Sequence, residues 1–409
     1  MSISVPKKTA IFLDRTSAPH IVTLVFLAGI SALTMNIFLP SLPSMSTYFN
    51  TPYQVIQLSV ALYLALSAVL QIVIGPISDR FGRRKVILGA LVLFLLATIG
   101  TLLAQDITVF LIFRMCQAVI AAGMVLSRAV VRDMVPDAEA ASMIGYVTMG
   151  MALVPMVGPI FGGFLDDHFG WQANFIVLLV LGLMVSALVY FDLGETAVLK
   201  KITLSEQISQ YPALLRSPRF WGYTMSAAFS SGAFFAYLGG APFVGTQIFG
   251  LNASQVGVYF AAPALGYAIG SFISGRYSTR FGLNNMALFG SALTSLAMVI
   301  LTLLTFGGLH FAGLFFGMMT MIGLGNGITL PNVNAGMMSI KPELAGTASG
   351  LGGAFMIGGG AILAALAGAV LSVQSGEMPL VVLMLLSSLG SLVAMLAVKA
   401  RAKRLGLMG

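Results

Sequence analysis

The sequence predicts an all-α membrane protein: twelve transmembrane helices in two pseudo-symmetric six-helix bundles. Composition, the length of the apolar runs and an internal repeat carry this reading. The 409 residues are 58% hydrophobic and only 8% charged, with a mean hydropathy of +0.97. Soluble domains are about 45–50% apolar and about 25% charged. So few charges cannot cover a water-exposed surface of this size, so lipid must cover most of it. Backbone groups in lipid bond internally, which leaves helices or a closed barrel. A barrel would show alternating segments of about ten residues. This chain shows apolar runs of about 20, the length that spans a bilayer core.

Twelve runs are assigned in order: 20–40, 54–75, 86–104, 107–127, 142–165, 172–191, 220–244, 255–274, 285–306, 311–331, 346–370 and 379–398. The connections are short except 192–219, the longest and most charged, where Thr203 and Glu206 have capping-box spacing for a short surface helix. The predicted units are therefore 1–191, a linker 192–219, and 220–409. The start of the chain is polar, with Lys7 and Lys8 and no small-residue cleavage site before the first run, so the first helix is expected to insert directly.

Charge sets the orientation. With the N-terminus inside, every Lys and Arg but Arg114 falls in an inside segment, and the outside loops carry none. This is the positive-inside pattern. It predicts a multi-pass membrane protein with both termini cytoplasmic, and it accounts for the net charge of +8. No basic face is displayed on a soluble domain, which argues against nucleic-acid binding.

The repeat supplies the two halves. GPISDRFG (75–82) and GRYSTRFG (275–282) each follow the second helix of a six-helix set. VPDAEAAS (135–142) and IKPELAGTAS (340–349) each lie between the fourth and fifth. The offset of about 200 residues marks a duplicated unit. Parallel halves related by an axis along the membrane normal are a transporter plan, with substrate held between them near mid-membrane.

Local motifs extend this to a family. GPISDRFGRRK (75–85) resembles the loop between helices 2 and 3 of the major facilitator superfamily. SRAVVRD (127–133) with Arg114 and Gln117 upstream, VGPIFGG (157–163), FGWQANF (169–175) and FLPSLPSM (38–45) resemble the bicyclomycin-resistance group of drug exporters. The N-terminal half carries most of the likeness. The resemblance implies a secondary active exporter of drugs or metabolites that works by alternating access, coupled to protons. The alternative is a facilitator or importer of an endogenous metabolite or siderophore-like compound. No cofactor is expected, and a monomer with a small-molecule substrate is.

In the 75–85 segment, Gly75 and Gly82 are expected to make a tight turn, Pro76 to fit a helix end, and Arg80 and Arg83 to hold the loop at the cytoplasmic face. The resemblance further implies that Asp79 latches onto the N-terminus of a neighbouring helix, the eleventh, when the cytoplasmic side is shut. Such a contact contributes about 0.3–1 kcal/mol, up to about 2 when partly buried. The competing reading is that Asp79 only neutralises Arg80 and Arg83. The second copy has Thr279 in place of the acid. In VGPIFGG, Gly158, Gly162 and Gly163 permit close helix approach, and Pro155 and Pro159 bend the helix. The family associates this pattern with antiporters.

An ionisable residue inside a span is a functional candidate by default. Arg114 lies about seven residues into its run, roughly 10 Å deep at 1.5 Å per residue, with Gln117 one turn on along the same side. The resemblance turns it toward the central cavity, and it is expected to face helix 1. Snorkelling to the interface is the plain alternative. Helix 1 departs from the family, which reads Asp-Met-Tyr-Leu-Pro where this chain has Asn36-Ile37-Phe38-Leu39-Pro40. None of the thirteen acids lies mid-span. Asp133, Asp166, Asp167 and His310, all near span ends, are the remaining proton carriers. The cavity should be neutral to positive and favour neutral, zwitterionic or anionic substrates.

Further lining candidates are Phe38, Tyr63, Phe234, Phe235, Tyr237, Tyr259, Tyr267, Asn326 and Asn332. Helix packing or an interfacial belt would equally explain any one aromatic. With three His and one Cys, a metal centre, HExxH site or Walker loop has no basis in the sequence, which argues against a membrane enzyme. A channel would need a repeated ring of charged or carbonyl-presenting segments.

Overall fold

The computed structural model describes residues 11–134, 143, 147, 154, 157–197, 211–341 and 344–404. Pro155, the Thr203–Glu206 pair and most of the first half of the fifth run lie outside the described residues. Among those described, eleven helices are long and apolar enough to cross a membrane. They are α1 (Ile21–Tyr48), α2 (Tyr53–Phe81), α3 (Arg83–Leu103), α4 (Ile107–Met134), α6 (Gln172–Asp192), α7 (Pro218–Ile248), α8 (Ala253–Phe281), α9 (Leu283–Phe306), α10 (Ala312–Met338), α11 (Ala345–Val370) and α12 (Met378–Arg404). The described part of the fifth run, α5 (157–169), is helical too.

Two boundaries differ from the sequence reading, for local reasons. α1 does not stop at Pro40. It is regular over Ile21–Asn36, breaks into a 3-10 turn at Leu39–Ser41 and resumes over Leu42–Tyr48. Pro40 has no N–H for the carbonyl four residues back, and its ring crowds that carbonyl. The break therefore leaves the last carbonyls of the first segment without intrahelical donors.

The second correction concerns residues 75–82. Gly75 and Pro76 are not in a loop, because α2 continues through both to Phe81. The Gly75 carbonyl accepts from the Ser78 hydroxyl at 2.7 Å, and the helix carries the proline inside it. Only Gly82 turns, at φ 95°. The repeat behaves alike: α8 continues through Gly275 to Phe281, and Gly282 turns at φ 82°.

In the C-terminal bundle α8 lies along α10, α7 along α11 and α12, and α9 along α10. In the N-terminal bundle α3 lies along α4 and α6, and α1 along α4 and α6. α2 and α11 form the long contact between bundles. Glycine makes the closest helix pairs possible. A methyl added at Gly266, Gly270 or Gly323 would overlap the backbone of the facing helix in the α8–α10 pair.

One end of the molecule, the basic face, carries Arg80, Arg83, Arg84, Arg276, Arg280 and the end of α12. The opposite end, the far face, carries the α1–α2, α5–α6 and α7–α8 turns. The N-terminal bundle is filled near the far face by rings of Phe49, Phe110, Trp171 and Phe175, with centroids 5.3–5.8 Å apart. Trp171 and Phe175 belong to the FGWQANF motif.

Candidate functional site

The α1 break builds the most unusual polar feature of the interior. Arg114 of α4 is 1% exposed. Its guanidinium lies between two aromatic rings, 4.3 Å from the Phe38 centroid and 4.1 Å from that of Tyr63. Phe38 is the residue at the break, and Tyr63 stands on α2. The Nη2 group donates to the Thr34 carbonyl at 2.9 Å, one of the carbonyls that the break leaves free. Nη1 donates to Gln117 Oε1 at 2.8 Å, and Nε reaches toward the Ser59 carbonyl at 3.4 Å. Gln117 Nε2 in turn donates to Thr98 Oγ1 at 2.8 Å, and Thr98 donates to the Phe94 carbonyl at 2.7 Å. Four helices thus hold one side chain.

The electrostatics follow from these partners. The described partners of Arg114 are carbonyl dipoles, an amide and π faces, with no carboxylate among them. A helix C-terminus carries about half a negative charge, and a ring face attracts a cation by about 2 kcal/mol or more when desolvated. Together they stabilise a buried cation without neutralising it, so the knot keeps a net positive charge.

Asn36, in the family's acid position, is fully buried on another face of α1. Its Nδ2 donates to the Ala32 carbonyl at 2.7 Å, and its Oδ1 has no described partner. It faces Gly158 of α5, where an added Cβ would come within 3.9 Å of the Asn36 Cβ. The glycines of VGPIFGG divide their work. A methyl at Gly162 would overlap the Ile37 carbonyl at the α1 break, and one at Gly163 would overlap the Ala253 carbonyl of α8, in the other bundle. Pro159 meets α8 in the same way, its carbonyl lying where a Cβ on Gly257 would be.

The C-terminal candidates form a separate knot. Tyr237 of α7 is fully buried, with its hydroxyl unpartnered among the described residues. Rings of Phe234, Phe260, Phe315 and Phe316 surround it at 5.0–6.4 Å. Tyr259 stacks on Phe316 at 4.5 Å. Asn326 accepts from Ser230 at 2.6 Å and joins α10 to α7, and Asn332 donates to Ser274 at 2.8 Å and joins α10 to α8. Phe235 lies against Gly360 of α11, and Tyr267 lies along α10 beside Gly327.

The basic-face candidates also gather. Asp79 pairs with Arg83 at 2.5 Å, Arg83 pairs with Asp133 at 3.1 Å, and its Nη1 donates to Ser78. Glu195, which the sequence reading did not single out, accepts from the Arg83 backbone N–H at 2.8 Å and fills the space beside Gly82. Arg80 lies over the Phe81 ring at 5.4 Å. In this conformation Asp79 therefore serves its own bundle.

The far-face candidates are split. Asp166 accepts from Ser44 at 2.8 Å, and burial pushes its carboxyl above the usual range, as does neighbouring Asp167, against the lowering effect of the Ser44 and Ser41 hydroxyls. Asp167 accepts from the backbone N–H groups of Ala253 and Ser254. His310 is paired across the far face, its Nδ1 lying 2.7 Å from Glu377 Oε1.

Sequence reasoning also passed over Tyr53, Gln54 and Gln57, which reach from α2 into the C-terminal bundle. Two glutamines within four residues at the start of a largely apolar run were the available signal. A cavity of about 820 Å³ lies between α2, α7 and α11, lined by apolar residues including Leu62, Val69, Phe229, Phe355 and Ile362. None of the candidate site residues lines it.

Comparison with known proteins agrees with the fold. The chain is 27% identical over 350 residues to a bicyclomycin resistance protein homolog of Haemophilus influenzae, covering 85% of this chain and 88% of that one. It is 30% identical over 334 residues to a chloramphenicol resistance protein of Pseudomonas aeruginosa, covering 81% and 78%. Its fold matches the crystal structure of a bacterial homolog of the human lysosomal transporter Spinster, in an inward-facing and occupied conformation, with a TM-score of 0.70 at 16% identity over 94% of this chain and 96% of that one. The model of the Major Facilitator Superfamily matches residues 24–365. With that match spanning most of a duplicated helical chain, and drug-resistance proteins among its relatives, this chain belongs to the Major Facilitator Superfamily.

Proposed function

We propose that this membrane transporter is a drug or metabolite exporter of the bacterial inner membrane, driven by protons and working by alternating access. The observation that carries the reading is the Arg114 knot: a fully buried guanidinium, sandwiched by two rings, with no carboxylate among its described partners. Such a site attracts the electronegative end of a neutral, zwitterionic or anionic molecule and repels a lipophilic cation. The C-terminal ring cluster around Tyr237 offers an apolar wall for the other side of the same ligand. The likeness to resistance proteins supports export.

The basic face is assigned to the cytoplasm on the positive-inside pattern. The units are 1–191, a linker 192–219, and 220–409. The far end is joined across the bundles in this structure, as expected of a state open toward the basic face. Protons are carried by acids outside the spans, since Asn36 does not titrate. The far-face pair Asp166 and Asp167 and the basic-face Asp133 are the carriers, with His310 as a further candidate. Asp79 shifts from Arg83 to the start of α11 when the basic face shuts.

The test is resistance and transport together. Expression in an exporter-deficient strain should raise tolerance to chloramphenicol or bicyclomycin, the compounds in the relatives' names. Purified protein in proteoliposomes should move the same compound against its gradient when a pH gradient is imposed. Tolerance without change, together with transport indifferent to the pH gradient, would overturn the proposal.

A further inference from the structure

Among the described residues, five hydrogen bonds join the two bundles at the far end, and each pairs a side chain of the N-terminal bundle with the backbone of the C-terminal one. On one flank, Tyr53 Oη donates to the Gly239 carbonyl at 2.8 Å, Gln54 Nε2 to the Leu371 carbonyl at 3.2 Å, and Gln57 Nε2 to the Ala364 carbonyl at 2.5 Å. On the other, Asp167 Oδ1 and Oδ2 accept from the N–H groups of Ala253 and Ser254 at 3.3 and 3.0 Å. The first flank is neutral. The second is a carboxylate on the first turn of α8, whose first segment, Ala253–Tyr259, is followed by a turn at Phe260 and then Ala261–Phe281.

The α8 terminus is built to leave those two donors free. Asn252 caps it, accepting from Gln255 N–H at 2.8 Å, and Gln255 returns the bond to the Asn252 N–H at 3.0 Å. The N–H groups of Ala253 and Ser254 lie outside that box, and Asp167 takes both. Close approach is secured below them by Gly163 and Gly257, whose missing Cβ atoms leave room for the Ala253 and Pro159 carbonyls.

We propose that Asp167 is the latch of the far face: its carboxylate holds α5 to the start of α8 while that end is closed, and removing its charge releases the end. The arrangement is the counterpart, on the opposite face, of an acid at the end of α2 meeting the start of α11. It concerns a carboxylate that the transport reading also uses as a proton carrier, but its test needs no substrate and no transport.

The surroundings leave the helix terminus as the positive partner. From its own helix Asp167 is flanked by Asp166 and His168, and His168 Nδ1 is engaged with the Phe164 carbonyl at 2.9 Å. The end of α1 brings Ser44 to the adjacent Asp166, and α8 brings the Asn252–Gln255 turn with the Ala253 and Ser254 donors. Among the described ion pairs, no Lys or Arg partners Asp167. Asp167 is exposed, so a proton from the far side reaches it directly.

The experiment uses the full chain in lipid nanodiscs, without substrate. Spin labels at Gln105→Cys and Gln247→Cys, both exposed far-face positions, report the distance across the far end in a Cys116→Ser background. Asp167→Asn should raise the ratio of far-open to far-closed molecules about two- to fivefold, the range for an exposed charge at a helix N-terminus. Ala253→Pro removes one donor without removing a helix bond. Asn252, at φ −80° and ψ 170°, already has the backbone that a following proline requires. It should shift the ratio in the same direction. Asp106→Asn, an acid on the same face that caps α4 within its own bundle, should leave the distance unchanged. Distances for Asp167→Asn and Ala253→Pro that superimpose on the parent would overturn the proposal.

Discussion

The two bundles share a plan and divide the chemistry. Their matching turns make the contrast plain. Gly82 and Gly282 both adopt a left-handed backbone after a long helix, at φ 95° and 82°. Around Gly82, Asp79, Arg83, Asp133 and Glu195 form a charged network. A Cβ on Gly282 would meet nothing within 4 Å. The same holds in the interior, where the N-terminal bundle buries a guanidinium and the C-terminal bundle a tyrosine among phenylalanines. At the far seam one bundle gives side chains and the other gives backbone. Duplication has supplied the scaffold twice and the polar machinery once.

The strongest way to break this division is to crowd the seam. Gly163→Val puts a branched side chain where the Ala253 carbonyl sits. It should prevent far-end closure and cut transport more than tenfold, about 1.4 kcal/mol or more in the closing equilibrium, measured as initial rate in proteoliposomes. The turns sharpen the contrast next. Gly82→Ala and Gly282→Ala both force a Cβ onto a backbone at φ 95°, ψ 142° and φ 82°, ψ 149°, a region close to glycine-only, at a cost of about 1–3 kcal/mol. Only Gly82→Ala must also displace the Glu195 carboxylate, so its thermal midpoint should fall further.

How much was legible follows from particular residues. The spans, the repeat and the isolation of Arg114 stood out because each is a break in apolar monotony. The helical course of Gly75 and Pro76 did not, because local propensity argued for a turn and tertiary contacts along α2 overrode it. The sandwich of Arg114 depended on Phe38, which reaches the guanidinium only because α1 breaks at Pro40. The role of Asp167 was hidden because its partner is backbone, which leaves no trace in residue type. Gln54 and Gln57 were readable as polar residues in a span and were missed.

Two smaller effects refine the comparison. Glu195→Gln leaves a hydrogen-bond acceptor for the Arg83 N–H but removes the charge at the start of α3. It should cost about 0.3–1 kcal/mol, seen as a lower midpoint that high salt abolishes. Asp166→Asn should act with pH. The raised Asp166 carboxyl means that the folded chain binds a proton that the unfolded chain has released, so stability falls as pH rises through that window. The variant should gain about 1–2 °C over the parent at neutral pH, with the gain disappearing in acid below the ordinary carboxylate range.

The most direct measurement is transport of the exported compound by Arg114→Ala and Arg114→Lys, set against Tyr237→Phe, at matched protein levels in proteoliposomes. Loss exceeding tenfold in Arg114→Ala, partial recovery in Arg114→Lys, and less than a twofold change in Tyr237→Phe would agree with about 1.4 kcal/mol or more carried by the guanidinium. Arg114→Ala that is folded and transports at the parental rate would contradict it.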